Sequence, residues 1–193
     1  MKKSWSLFAV MAAALMLSGC GEKFEPTETT VFVNSKGAVQ GAIMESFDQA
    51  YYKFDELSEE IEKEVRAYCL DQKEESVTVE SLTQEGDVVT LFMNYESVQD
   101  YGTFNDVLFF SGTYGEALDA GYLPEELYDA EGELADREGE GLEELQVIVT
   151  EESICVQTTG KIQYVSDNVS ITDKKLAKVM EAKKTRPAFI LYK

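Results

Sequence analysis

The chain has 193 residues, of which 17 are basic and 37 acidic, giving a formal net charge of −20, and it contains no histidine. So acidic a surface repels phosphate backbones, which argues against nucleic acid as a partner. The lack of histidine excludes Ser-His-Asp and Cys-His catalysis and removes the commonest protein ligand of zinc and copper. No motif indicates a cofactor, and we predict no catalytic residue.

The first residues have the pattern of an export signal. Lys2 and Lys3 precede an uncharged run from Trp5 to Leu17. This run is shorter than the roughly 20 apolar residues that a membrane-spanning helix needs, so it is typical of a signal peptide. The alternative is an ordinary secretory signal that happens to be followed by a cysteine.

The run ends in Leu17-Ser18-Gly19-Cys20, which resembles the lipobox of bacterial lipoproteins. The resemblance implies cleavage between Gly19 and Cys20 and attachment of a diacylglycerol, with acyl chains such as palmitate, to Cys20 through a thioether. Because each buried methylene contributes about 0.8 kcal/mol, two acyl chains would hold the protein stably at the outer face of the cell membrane.

We therefore divide the chain into three parts. Residues 1–19 are predicted to be a lipoprotein signal peptide, residues 20–29 the lipidated cysteine with a short polar tether, and residues 30–193 a single α+β domain. Without residues 1–19 the formal charge becomes −22, since Lys2 and Lys3 are lost. We expect this domain to stand off anionic head groups and to contact the membrane only through the lipid on Cys20.

The N-terminal half of the domain predicts a hairpin over 30–45 around the turn 34–37, and then a long amphipathic helix. The helix is predicted to start near 47, with a capping box from Ser46 and Gln49, or near 56, with Asp55 as its cap, and to end by about 72. Its apolar stripe, which we assign to the core with Tyr52, consists of Phe47, Tyr51, Phe54, Leu57, Ile61, Val65 and Tyr68.

The next patterns predict a hairpin over 76–95, whose second strand is apolar enough to be buried on both faces or nearly so, and a short helix from Val98 to Phe104. A further strand is expected at 107–110. Thr113 and Glu116 form a capping box for another short helix, which competes with an anion site at its glycine-flanked start.

Eight acidic residues and three glycines lie between 129 and 144. Like charges at this density favour a solvated loop. The alternative is a calcium site, because hard cations take carboxylate oxygens, although the EF-hand spacing is not met. The candidate ligands are Asp129, Glu131, Glu133 and Asp136.

From Leu145 the pattern is again that of strands. We expect a strand at 145–149, a hairpin of 154–157 with 161–165, and a central last strand at 188–192. Residues 176–184 fit either a helix or a hairpin partner of 169–171, and we favour the hairpin. The predicted fold is thus α+β, a largely antiparallel sheet with one long amphipathic helix packed on it.

Two cysteines remain once Cys20 is acylated. Outside the cytoplasm Cys69 and Cys155 could form a disulfide. The favoured alternative is two separate buried thiols, since free cysteine behaves as a small apolar residue.

The chain also resembles a group of small, uncharacterised lipoproteins of anaerobic Gram-positive bacteria, a resemblance that implies export, anchoring and a single domain. The residues that carry it are Phe47-Asp48, Tyr51-Tyr52, Glu56-Leu57, Ile61, Asp100-Tyr101, Phe104-Asn105, the run from Gly160 to Ser166 and the run from Phe189 to Lys193.

These patterns favour a non-catalytic binding or envelope module with an unknown ligand. One alternative is a calcium-dependent structural module that uses the 129–144 loop. The other is a hydrolase that works through paired carboxylates, for which a carboxyl group in a dry pocket would be needed. The candidates for that pair are Asp48, Asp55, Asp100 and Asp106.

Overall fold

The computed structural model describes residues 23–193. The predicted signal peptide, the cleavage site at Gly19 and the lipidation site at Cys20 lie outside the described residues. The described chain forms thirteen strands and three α-helices. In chain order these are β1 (Thr30–Val33), β2 (Val39–Ser46), α1 (Phe54–Gln72), β3 (Val77–Glu85), β4 (Val88–Tyr95), α2 (Val98–Asn105), β5 (Phe109–Thr113), α3 (Tyr114–Asp119), β6 (Leu127–Asp129), β7 (Leu134–Ala135), β8 (Gln146–Thr150), β9 (Cys155–Gln157), β10 (Ile162–Val165), β11 (Val169–Asp173), β12 (Leu176–Val179) and β13 (Ala188–Tyr192).

The strands form two sheets. The seven-stranded sheet has the order β11-β12-β9-β1-β2-β4-β3, and the six-stranded sheet has the order β5-β8-β13-β10-β6-β7. Neighbouring strands are antiparallel, except that β1 and β9 are parallel. The α+β class is therefore as predicted, but two sheets replace the single expected sheet.

The core explains why two sheets form. One apolar cluster contains residues of both sheets, such as Val31 and Val33 from β1 with Ile148 and Ile190 from the six-stranded sheet. A second cluster covers the other face of the six-stranded sheet, where α3 packs on Val147 and Phe189. The six-stranded sheet is thus buried on both faces, which is why every residue of β13 is buried.

Several local predictions are confirmed. The 30–45 region is the β1–β2 hairpin, with Gly37 at a φ of 83° in its turn. Residues 76–95 form the β3–β4 hairpin, β11 pairs with β12 as the favoured hairpin, and β13 is a central strand. The capping box of Thr113 and Glu116 is present at the start of α3.

The predicted hairpin of 154–157 with 161–165 is wrong, because β9 and β10 lie in different sheets. The chain crosses between the sheets at Thr158–Lys161. Thr158 donates its backbone N–H to Lys175, in the turn between β11 and β12, whereas Lys161 exchanges backbone hydrogen bonds with Lys193, just beyond β13. A Cβ atom on Gly160 would lie 2.2 Å from the carbonyl oxygen of Lys193, so only glycine fits this close passage.

The prediction of a single long helix is not confirmed, because the described chain contains three helices, of 19, 8 and 6 residues. The longest, α1, starts at Phe54 with Lys53 as an N-cap that accepts no side-chain bond. Neither predicted cap forms, since Ser46 ends a strand and Asp55 lies in the first turn of the helix.

The aromatic residues before α1 were assigned to the core, and for two of them this is wrong. Tyr51 is 72% exposed and Tyr52 is 42% exposed. The ring of Tyr52 stacks on Phe47 at 4.8 Å, and Tyr51 meets Tyr52 edge-on at 4.8 Å. The rings therefore cover one another on the surface, because the helix begins after them and cannot turn them inward.

The prediction that the second strand of the 76–95 hairpin is buried on both faces is also wrong. Along β4 buried residues alternate with residues that are at least partly exposed. Val89, Leu91 and Met93 face the core, while Val88, Thr90 and Phe92 face the other side. The seven-stranded sheet thus has an inner face on the core and an outer face turned away from it.

Candidate functional site

A groove lies between α1 and the edge strand β3, with a volume of about 850 Å³. We call it the α1–β3 groove. Val65, Cys69 and Leu70 line it from the helix, and Val77 and Val79 line it from the strand. A concave surface of this size with apolar walls is typical of ligand sites.

The sequence builds the groove through helical spacing and a sharp helix end. The residues that α1 contributes lie three or four positions apart and so share one face of the helix. They are Glu62, Val65, Arg66, Cys69, Leu70 and Lys73. Lys73 ends the helix in the left-handed conformation, with a φ of 60°, and Glu74 donates its backbone N–H to Cys69. The chain therefore reverses at once and enters β3 beside the helix.

The β3 side of the groove is a sheet edge. Within residues 23–193, β3 pairs with β4 alone. Ser76 accepts the backbone N–H of Glu96, so the carbonyl of the next residue, Val77, points away from β4 and accepts the Cys69 thiol at 3.4 Å. Beyond this contact, the outer edge of β3 offers backbone donors and acceptors that an extended chain could pair with.

Charges on the rim of the groove are nearly balanced, although the whole chain is strongly acidic. The rim carries two basic residues, Arg66 and Lys73, and three glutamates. Over the described residues neither base forms an ion pair. The groove therefore does not share the strong repulsion that the rest of the surface exerts on acidic ligands. The three glutamates are Glu62, Glu74 and Glu75.

Leu70 is an unusually exposed apolar residue of the groove. It is 73% exposed, although it is a large apolar residue, and it lies on the groove wall. Its position follows from the stripe of α1: Tyr68 and Cys69 pack against the core, and Leu70 is the next residue along the helix. The sequence contained this signal, because Leu70 lies outside the apolar stripe predicted for the helix.

The two cysteines are both free thiols, so the disulfide alternative is wrong. Cys69 lies in α1 and contacts Val77 of the edge strand β3. Cys155 lies in β9, four strand spacings away from β3 across the seven-stranded sheet. At about 4.8 Å per spacing this separation is about 19 Å, whereas bridged Cα atoms lie about 5.5–6 Å apart.

Two of the four candidate calcium ligands, Asp129 and Asp136, stabilise local turns. Asp129 accepts the backbone N–H groups of Glu131 and Glu133, at 3.0 and 2.8 Å, beside the short β6–β7 hairpin. Asp136 accepts the backbone N–H of Glu138 at 3.0 Å. From residue 23 to the C-terminus, no group of three or more acidic, cysteine or histidine side chains is placed to hold a metal ion.

None of the four carboxylates considered for hydrolysis is buried, so they do not lie in the dry pocket that this hypothesis needs. Asp100 lies in the first turn of α2, where it accepts the hydroxyl of the N-cap residue Ser97 and the hydroxyl of Tyr68, the latter at 3.1 Å. The other three are exposed at separate helix ends or in the loop before α1. They are Asp48, Asp55 and Asp106.

A partly buried carboxyl group that no sequence motif indicated lies elsewhere. Glu152 accepts the hydroxyl of Tyr101 at 2.7 Å beside a cavity of about 50 Å³. Burial raises the pKa of Glu152, the Tyr101 hydrogen bond opposes this rise, and the nearby charge of Glu151 adds to it. The cavity has room for a water molecule or two and not for an organic substrate. The only sequence signal was an acidic pair directly after an apolar strand.

Comparisons with protein-family models, with curated proteins and with solved structures found no match. In the stretch from residue 23 onward, the chain has no helix that combines the length and apolar character needed to cross a membrane.

Proposed function

We propose that this chain is a lipid-anchored extracytoplasmic binding module, and that its ligand is an extended apolar segment of a partner polypeptide held in the α1–β3 groove. The anchor is supported by the sequence: the charged start, the uncharged run from Trp5 to Leu17 and the lipobox-like Leu17-Ser18-Gly19-Cys20. The likeness to small lipoproteins of anaerobic Gram-positive bacteria supports the same location.

The observation that carries the binding site is the pairing of an apolar groove with an open sheet edge. An extended peptide that adds to the edge of a sheet gains main-chain hydrogen bonds, while its alternate side chains enter neighbouring pockets. Here Val65 and Leu70 provide apolar walls for such side chains, and β3 provides the edge. A helix beside an edge strand suits an extended ligand better than a compact one.

The binding site is tested by substituting the exposed leucine. Extended peptides are first selected from a random library on the native lipidated protein in nanodiscs, and their affinities are then measured for Leu70→Glu. The matched control is Leu134→Glu, because Leu134 is also exposed, at 65%, but lies in β7 of the six-stranded sheet.

Leu70→Glu removes an apolar wall and puts a carboxylate where apolar side chains of the ligand would lie, and pairing of this carboxylate with Arg66 or Lys73 would not restore the apolar contact. We therefore expect Leu70→Glu to weaken binding at least about tenfold. Leu134→Glu should bind as the unchanged protein does. Equal affinities for the two variants would contradict the assignment of the groove.

A further inference from the structure

Residues 23–29, predicted to be part of a short polar tether, lie across the outer face of the seven-stranded sheet. We call them the strap. The ring of Phe24 stacks on Phe32 of β1, with ring centroids 5.9 Å apart, and meets Phe92 of β4 edge-on at 6.2 Å. Between these strands lies Ala42 of β2, which is only 1% exposed although its side chain is on the outer face. A small residue here leaves room for the phenylalanine ring.

Polar contacts fix the strap at both ends. At its start, Gln157 of β9 donates its side-chain N–H to the carbonyl of Lys23 at 3.4 Å. At its end, Glu28 forms an ion pair with Lys178 of β12. Thr29 both donates its hydroxyl to the carbonyl of Met44 and accepts the Met44 N–H. The strap is therefore part of the folded structure, and only Gly21 and Glu22 separate it from Cys20.

The outer face beneath the strap is poor in charge. Residues opposite one another in paired strands share a face, so the strand registers define rows across the sheet. One row contains a single charged residue and consists of Ser170, Lys178, Cys155, Thr30, Ala42, Phe92 and Ser81. The next row also contains a single charged residue, Asp173, and consists of Asp173, Leu176, Gln157, Phe32, Gln40, Asn94 and Thr78. Beside this row, Glu80 of β3 accepts a hydrogen bond from the side chain of Asn94 at 3.2 Å.

The strap keeps this balance, and other surfaces do not. In the strap, the charge of Glu25 is paired with that of Lys23. The charge of Glu28 is paired with that of Lys178 in the sheet. By contrast, α1 carries seven acidic and two basic residues. The outer face therefore carries far less net charge than α1 does.

We propose that the outer face of the seven-stranded sheet is the side of the domain that lies against the membrane surface, and that the strap holds it there. This inference rests on the proposed lipid anchor at Cys20, and it replaces the expectation, which was drawn from the total charge, that the domain stands off the head groups. Three Cα steps of 3.8 Å join Cys20 to Lys23, so the lipid attachment point lies within about 11 Å of the sheet-bound strap. Repulsion from anionic lipids extends over about 8 Å at physiological ionic strength, so the surface that comes this close must carry little net charge.

Tryptophan fluorescence can test the orientation, since the only tryptophan of the chain, Trp5, lies in the predicted signal peptide. Single tryptophans are introduced by Thr83→Trp and Ser170→Trp on the outer face and by Leu134→Trp on the six-stranded sheet. The lipidated proteins are placed in nanodiscs with nitroxide-labelled head groups. Thr83 and Ser170 are both exposed. Ser170 belongs to the first outer-face row, and Thr83 pairs with Thr90, which lies on the same face of β4 as Phe92.

We expect the two outer-face tryptophans to lose the larger part of their fluorescence and Leu134→Trp to keep most of it. Adding Phe24→Ala should reduce the difference, because the strap then loses its main apolar contact. Equal quenching at all three positions would overturn the orientation. Intact mass of the same samples separates the two proposals, because a chain without lipid contradicts the anchor, whereas equal quenching of a lipidated chain contradicts the orientation alone.

Discussion

The carboxylate of Glu28 lies over the thiol of Cys155 and pairs at the same time with Lys178. The strap thereby closes over a cysteine that is 1% exposed on the outer face of the seven-stranded sheet. Burial raises the pKa of Cys155 to about 11, and the neighbouring Glu28 charge adds to the rise. The Lys178 partner, in turn, lowers the pKa of Glu28. Because Glu28 belongs to the strap, the reactivity of the Cys155 thiol can report whether the strap is docked on the sheet.

Labelling of Cys155 should report undocking of the strap. In a Cys69→Ser background at pH 8 only roughly one thiol in a thousand is ionised at a pKa near 11, so we expect very slow reaction with a disulfide reagent. Phe24→Ala should accelerate labelling, because it removes the contacts with Phe32 and Phe92. Tyr51→Ala, which truncates an exposed aromatic residue away from the strap, should not. Labelling of Phe24→Ala at the unchanged rate would contradict strap docking.

Two buried serines should respond in different ways to loss of the hydroxyl group. Ser166 donates to Asn168 at 2.6 Å and accepts the Phe189 N–H at 2.8 Å, so Ser166→Ala should cost about 1–3 kcal/mol of unfolding free energy. The Ser76 hydroxyl is buried and bonds to no group in residues 23–193, so Ser76→Ala should be neutral or stabilising. Urea unfolding measures both. Equal destabilisation would show that Ser76 has a partner.

The partly buried Glu152 should make stability depend on pH. Because its pKa is raised in the folded state, the stability linked to its protonated form is present at low pH and is lost as the pH rises through the folded pKa. Glu152→Gln removes the buried charge and keeps an acceptor for Tyr101. We therefore expect the variant to be more stable than the unchanged protein near pH 7 and equally stable near pH 4.

The unfolding free energy of both proteins is measured with urea from pH 4 to pH 7. The difference between the two proteins is then compared across this range, because the contributions of the other carboxylates are the same in both and cancel. Tyr101→Phe is the companion variant: it leaves the carboxylate without its hydrogen bond, so its deficit should grow as the pH rises. A stability difference between Glu152→Gln and the unchanged protein that does not vary with pH would contradict the burial of a titrating carboxyl group.

The parts of the fold that the sequence predicted are those set by neighbouring residues. The turns at Gly37 and Gly86 need positive φ, with values of 83° and 60°, and each joins two strands as expected. The capping box of Thr113 and Glu116 likewise depends on four consecutive residues. Glycine turns and caps act within the local chain, so their patterns are readable without the rest of the structure.

The parts that were missed depend on distant residues. β9 was expected to pair with β10, the next strand in the sequence, but its partners are β1 and β12. β1 lies more than 120 residues before β9, and β12 follows β10 and β11. Phe24 is one apolar residue in a polar stretch, and its role is visible only once Phe32 and Phe92 lie side by side. The α1–β3 groove could not be predicted because it depends on β3 being the edge of the sheet.

Lipid attachment at Cys20 is the central claim, and intact mass spectrometry of the protein purified from membranes of its native host tests it most directly. We predict a chain that begins at Cys20 and is heavier than its sequence by the mass of the attached acyl chains, and we predict that Cys20→Ser abolishes both the cleavage and the added mass. Recovery of an unmodified 193-residue chain of 21.6 kDa from the soluble fraction would contradict the account.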